Sequence, residues 1–96
     1  MTIDFEWDPR KAESNVTKHR VSFAEATTIF RDPRVASFVD EEHGEHEERW
    51  VTMGTSSRGR VLVVCHAFSA ERADAIRIRI ISARRATRPE RAQYDG

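Results

Sequence analysis

The residues best suited to chemistry in this 96-residue chain are arginines near its C-terminal end. Six lie on or just after one predicted strand: Arg77, Arg79, Arg84, Arg85, Arg88 and Arg91. A guanidinium presents a planar fork of donors that matches phosphate oxygens, whereas lysine offers a point charge. Alternation along this strand places Arg77 and Arg79 opposite to the apolar face. We therefore expect both side chains on an open sheet face, where they could bind the phosphates of a nucleic acid.

A site that also cuts RNA needs a group that moves protons, and arginine cannot do so because its pKa exceeds about 12. His66 is the candidate, since imidazole titrates near neutrality. It lies on a predicted strand in which Arg60, Leu62, Val64 and His66 share one face, and the register could bring His66 beside Arg79. Arginine and histidine together could cleave RNA without a metal. The alternative is that His66 is only a strand histidine hydrogen-bonded to a neighbour.

Metal and cysteine chemistry are not expected. His43 and His46 lie in an acidic loop, but their His-x-x-His spacing around Gly44 is not that of a helical zinc pair. We therefore expect no metal and no cofactor. The single cysteine, Cys65, excludes an internal disulfide, and it alternates away from His66 on the same strand. It is interpreted as a small core residue.

The formally neutral chain divides into an acidic half and a basic half. Residues 1–48 carry six basic and twelve acidic side chains, whereas residues 49–96 carry ten arginines and four acids. Either the second half presents a basic surface to a partner, or its arginines pair with the acidic half on folding. No apolar run approaches the roughly 20 residues of a membrane span, and the first residues do not form a signal peptide. We expect one cytoplasmic domain over residues 1–96.

The elements that must position these groups follow from periodicity and capping residues. Asp8-Pro9 opens a helix, and Ser22-Phe23-Ala24-Glu25 reads as a capping box that starts a second helix, which ends at Asp32-Pro33. A predicted C-terminal helix begins at Thr87 and ends near Tyr94. The predicted strands are Ile3–Trp7, Val35–Val39, Arg49–Thr52, Arg60–His66 and Ala75–Ser82, with Val61–Val64 central and a hairpin loop through Ser69–Asp74. This order predicts an α+β fold with helices on one face of a mostly antiparallel sheet.

Several motifs, in order along nearly the whole chain, resemble the BrnT family. They are Phe5-Glu6-Trp7-Asp8-Pro9, Asn15, Lys18-His19, Val21-Ser22-Phe23, Glu25-Ala26, Asp32-Pro33, Glu48-Arg49, Ser57-Arg58-Gly59-Arg60, the strand ending at His66, Arg79-Ile80-Ile81-Ser82-Ala83-Arg84-Arg85-Ala86-Thr87, Glu90 and Tyr94. The chain departs from the family at position 20, where Arg replaces the frequent Gly, and in the hairpin 67–75, which looks longer than usual.

The resemblance implies a RelE-like fold and a metal-independent endoribonuclease toxin of a type II toxin–antitoxin pair, which inhibits translation. It implies a BrnA-like ribbon-helix-helix antitoxin that neutralises the toxin and represses the operon with it by binding operator DNA. The toxin's partners would be its RNA substrate and, as one option, the ribosome. By position, the resemblance points to Arg79 and Arg84 as catalytic residues, with His66 and Tyr94 as weaker candidates. Further RNA-binding candidates are Arg58, Arg60, Arg77 and Arg85. The alternative is a non-catalytic module that binds nucleic acid or protein through the arginine-rich face.

Overall fold

A computed structural model describes residues 2–42 and 47–96, apart from the side chains of residues 70 and 71. His43 and His46 therefore lie outside the described residues. The elements in chain order are β1 (Thr2–Glu6), α1 (Pro9–His19), α2 (Phe23–Thr27) followed by a 3₁₀ turn (Thr28–Arg31), β2 (Ala36–Asp40), β3 (Arg49–Thr55), β4 (Val61–Arg72), β5 (Ala75–Arg85) and α3 (Arg88–Asp95). No helix among these residues has the length and apolar character needed to cross a membrane.

The strands form one sheet in the order β1-β5-β4-β3-β2. Strand β1 pairs in parallel with β5, and the other three pairs are antiparallel. The predicted α+β class and the central position of Val61–Val64 are confirmed. The predicted hairpin before β5 is present, but its predicted loop, Ser69–Asp74, is too long, because β4 continues to Arg72 and the turn is only Ala73–Asp74. Backbone ladder bonds with β5 continue through this segment despite its polar sequence.

The hydrophobic core lies between α1, α2 and one face of the sheet. Its buried residues are Val21, Phe23, Ala26, Ile29, Leu62, Val64, Ile78, Ile80 and Ala83. Residues paired directly across strands share a face, so the side chains between these core positions point to the opposite face. We call this opposite face the open face; α3, which has no buried residue, borders it through Tyr94.

Asn15 connects α1 to the strand that carries the arginines. Its side-chain amide donates to the backbone carbonyls of Val21 (2.9 Å) and Ala83 (2.8 Å), and its oxygen accepts from the Ala83 amide (3.1 Å). All three bonds are buried, so Asn15 fixes the end of β5 directly before Arg84.

All three helices begin where the capping signals predict, but one of the two predicted capping boxes is incomplete. Asp8 and Thr87 cap α1 and α3, and Thr87 forms a complete capping box with Glu90. Ser22 caps α2 by accepting from the Glu25 amide at 3.0 Å, but the Glu25 carboxylate binds Arg60 rather than the cap. Arg20 ends α1 with φ 58°, a conformation that glycine adopts without strain.

Candidate phosphate-binding site

On the open face, basic residues of β5 lie beside acidic residues of β1. Arg79 pairs with Ala67 of β4 on one side and with Glu6 of β1 on the other, and Arg77 pairs with Asp4. The predicted open-face position of Arg77 and Arg79 therefore agrees with the register. The parallel pairing with β1 brings two carboxylates to the same face, which the pattern of β5 alone does not reveal.

Arg79 is a partly exposed cation that already has an anionic partner. Its side chain is 39% exposed and forms an ion pair with Glu47, in the segment just before β3. Arg77 is more exposed, with its Nε 3.7 Å from Glu6 Oε1. A phosphate that binds Arg79 in this geometry would take the place of the Glu47 carboxylate.

Arg84 lies on the same face, further along β5, and is held by α3. Its Nη1 and Nη2 atoms donate to the two oxygens of Glu90 at 2.8 and 3.0 Å. The Arg84 bond, together with the Thr87 amide, lowers the pKa of Glu90 to about 2. Because Arg79 and Arg84 pair with Ala67 and Val63, they are separated by about 13 Å along the strand, at roughly 3.3 Å per residue. The two guanidinium groups thus suit neighbouring phosphates better than a single one.

His66 does not lie beside Arg79, so this prediction is wrong. It pairs with Ile80 and is 1% exposed on the face that the helices cover. Its Nε2 shares a 2.6 Å hydrogen bond with the Thr52 hydroxyl, its Nδ1 has no hydrogen-bond partner among the described residues, and burial lowers its pKa to about 4. The physical reason is that His66 follows the same alternation as Leu62 and Val64, both in the core. A catalytic role stays a prediction, but RNA on the open face cannot contact this imidazole.

Arg60 is tied to a buried carboxylate. Its Nε donates to Glu25 Oε2 at 3.0 Å and its Nη2 to Oε1, while Ser56 Oγ donates to the same carboxylate at 2.7 Å. The hydrogen bond from Arg60 lowers the pKa of Glu25 and, in return, raises that of Arg60. Arg58 is exposed, with Nη1 3.8 Å from Glu25 Oε1. These bonds give Arg60 a structural task in joining the β3–β4 hairpin to α2.

The two remaining candidates lie apart from Arg79. Arg85 is exposed and pairs with Leu62, which puts it on the face opposite to Arg84. The Tyr94 hydroxyl donates to Asp32 Oδ2 and lies 3.2 Å from Thr55 Oγ1. Tyr94 therefore anchors α3 to the turn before β2.

The sequence interpretation identified the arginines but missed the carboxylates that pair with them. Glu6 could have been predicted as a partner because it shares one face of β1 with Asp4. Glu90 could have been predicted from its capping position close to Arg84 in the sequence. No local signal identifies Glu47, which comes from a loop distant in sequence. Among residues 2–42 and 47–96, no group of three or more His, Cys, Asp or Glu side chains could hold a metal ion.

The fold and the open face define a small α+β protein in which Arg77, Arg79 and Arg84 lie on the face that α1 and α2 leave uncovered. The family model described as the ribonuclease toxin BrnT of type II toxin–antitoxin systems matches residues 7–90, so the chain belongs to the BrnT family and the resemblance is confirmed. The structure is similar to the crystal structure of the Brucella abortus ribonuclease toxin BrnT, with a TM-score of 0.61 and 19% identity, covering 92% of this chain and 100% of that one. This likeness supports the fold. No curated protein matches the sequence.

Proposed function

We propose that this chain is a metal-independent endoribonuclease that acts as the toxin of a type II pair, with Arg79 and Arg84 binding RNA phosphates on the open face. The observation that carries the proposal is the family match over residues 7–90, combined with the partly exposed Arg79 on the face that α1 and α2 leave uncovered. Guanidinium groups stabilise the charge that builds on phosphate oxygens during cleavage.

Cleavage without a metal uses the 2′-hydroxyl of the RNA as the nucleophile. Its oxygen attacks the adjacent phosphorus, the bond to the 5′-oxygen breaks, and the products end in a 2′,3′-cyclic phosphate and a 5′-hydroxyl. One proton leaves the 2′-hydroxyl and one reaches the departing oxygen. Among the described residues, Glu47 forms an ion pair with Arg79 and Glu6 is its register partner on β1, so the proton-transfer group on this face is a carboxylate or water rather than His66.

The finer parts of the proposal concern partners and consequences. The toxin inhibits translation in the cytoplasm, with a RelE-like arrangement of its elements. A BrnA-like ribbon-helix-helix antitoxin neutralises it, and the complex represses its own operon. These statements rest on family membership. Growth arrest on expression of the chain, relieved by co-expression of the antitoxin, tests toxicity and neutralisation.

The direct test is cleavage of RNA by the purified protein in EDTA. We expect cyclic-phosphate ends. We expect Arg79→Ala to lower the rate by about 10²–10³, and Arg84→Ala, which loses a contact to a neighbouring phosphate, to lower it by a smaller factor. Arg10→Ala is the matched control, because Arg10 is an exposed arginine on α1, on the other side of the sheet. Full activity of both open-face variants would place the site elsewhere, and activity that needs a divalent ion would overturn the metal-free chemistry.

The second candidate function is a non-catalytic binding module. It is favoured by one observation, the absence of a histidine among the residues that the register places next to Arg79. In this case the protein would bind RNA through Arg79 and leave it intact under all conditions of the same assay.

A further inference from the structure

The two edges of the sheet differ in how well they are protected. Strand β2 forms one edge, and no strand among the described residues pairs with its outer side. It exposes two adjacent large apolar side chains, Phe38 at 53% and Val39 at 40%. On β1, the other edge, the exposed Ile3 is followed by Asp4 and Glu6 is close by. Charged residues on an edge strand disfavour pairing with a further strand, whereas an exposed apolar edge strand favours it.

A groove lies beside the β2 edge on the open face. It has a volume of about 170 Å³ and is lined by Ala36, Phe38, Met53, Gln93 and Tyr94. Ala36 and Phe38 lie on the same face of β2, so a strand added to β2 would direct alternate side chains toward Phe38 and the groove. Main-chain hydrogen bonds to the edge and a pocket for one side chain are the two features of recognition by strand addition.

We propose that the outer edge of β2 and this groove are the docking surface for the antitoxin, which binds by adding an extended segment beside β2. The inference rests on the proposed function, because a type II toxin has a protein antitoxin as its partner. The exposed Glu41 and Glu42 follow β2 directly, so they repel RNA from this edge and favour a partner segment with lysine or arginine at the adjoining end. An apolar side chain of that segment fills the groove next to Phe38.

The test measures binding of the antitoxin encoded beside the toxin gene to the full-length chain by titration calorimetry. Phe38→Asp places a charge on the edge and removes the aromatic contact, and we expect affinity to fall at least about 30-fold, the loss typical of a central aromatic contact. Ile3→Asp is the matched control, because Ile3 is 42% exposed on the opposite edge. We expect this variant to bind within about threefold of the unsubstituted chain. Circular dichroism establishes that both variants are folded.

Hydrogen exchange of the unsubstituted complex gives a second measurement that needs no variant. We expect slowed exchange of backbone amides in β2 when the antitoxin is bound. Protection of β1 instead, or unchanged β2 amides together with full binding by Phe38→Asp, would overturn the proposal. A toxin that dimerises alone and becomes monomeric in Phe38→Asp would make this edge a self-association surface, which also overturns it. If the unsubstituted chain and the antitoxin do not associate, the toxin–antitoxin function fails as well, and ribonuclease activity in EDTA then reports separately on the enzyme.

Discussion

Replacing Arg60 with alanine tests whether this residue stabilises the fold or binds RNA. The motif Ser57-Arg58-Gly59-Arg60 predicts contact with RNA, whereas in the structure the Arg60 side chain is mostly buried against Glu25. Both the Nε and Nη2 groups donate to this carboxylate, whose side chain is 5% exposed. We therefore expect Arg60→Ala to destabilise the protein rather than to abolish RNA binding by the folded state.

The size of the effect follows from what remains around Glu25. After the substitution the carboxylate keeps the 2.7 Å bond from Ser56 and the distant, exposed Arg58. Removing one partner of a buried ion pair costs about 3–5 kcal/mol, and an exposed partner such as Arg58 contributes at most about 1 kcal/mol. For a chain of this size 1 kcal/mol shifts the Tm by about 4–8 °C, so we expect a decrease of at least about 12 °C.

The pH dependence gives this prediction a second signature. In the unsubstituted protein the pKa of Glu25 is lowered, chiefly by the hydrogen bond from Arg60 and against the effect of burial. A lowered pKa in the folded state stabilises it above the ordinary value of 4.5, and this contribution is lost as the pH falls through the folded-state pKa. Without Arg60, the largest cause that lowers the pKa of Glu25 is lost, so this pKa is higher than in the unsubstituted protein and protonation relieves the buried charge at a higher pH. The stability difference between the two proteins should therefore narrow from pH 7 to about pH 4.

Urea unfolding at several pH values measures this difference, and RNA binding is compared at a temperature where both proteins are folded. Arg58→Ala is the matched control, since Arg58 lies in the same hairpin with a 71% exposed side chain. Its stability should change by less than about 0.5 kcal/mol. An Arg60→Ala protein that unfolds like the unsubstituted chain but binds RNA tenfold more weakly would refute the structural reasoning.

Three further predictions address the open face and the buried polar groups. Glu47→Gln should strengthen RNA binding up to about fivefold by releasing Arg79, with no gain in an Arg79→Ala background; slower cleavage would instead make Glu47 a proton-transfer group. Asn15→Ala should lower the free energy of unfolding by about 3 kcal/mol in urea titrations, because three buried hydrogen bonds are lost. Burial lowers the pKa of His66 from 6.5 to about 4. Between these two pH values the unfolded state binds more protons than the folded state, so the free energy of unfolding decreases as the pH is lowered. This loss should reach about 2 kcal/mol between pH 7 and 5 and disappear in His66→Gln, unless the imidazole is solvated.

The order of elements could be predicted because each carries its own local signal. Asp8-Pro9 and Thr87 start helices, Asp32-Pro33 stops one, and the apolar run Val61–Val64 identifies the central strand. The lengths of β3 and β4 could not be predicted, because strand ends depend on a partner strand that pairs through backbone groups. For the same reason, the irregularities in register between Cys65 and His66 and between Phe68 and Ala70 have no local signal.

The site could be predicted on β5 but not across the sheet. Alternation correctly separated Arg79 from the core, and the same alternation should have placed His66 in the core with Leu62 and Val64. The error came from the assumed register between the two strands, which alternation within one strand does not determine. Inside the protein, the Thr52 hydroxyl satisfies one nitrogen of His66. The order of strands in the sheet and the contact of Glu47 with Arg79 could not be predicted, because both depend on how distant parts of the chain pack together.

Folding neutralises part of the charge asymmetry of the sequence, while Arg58 and Arg85 remain exposed. Arg60, Arg79 and Arg84 each contact a carboxylate, and two of these acids come from the acidic half of the chain. RNA binding on the open face is therefore an exchange, in which a phosphate replaces a carboxylate that is already bound to the guanidinium. Each released carboxylate takes up a counterion, while the RNA gives counterions up. The salt dependence of RNA binding should consequently be shallower than the number of arginine–phosphate contacts alone would require, and specificity must come from groups other than net charge.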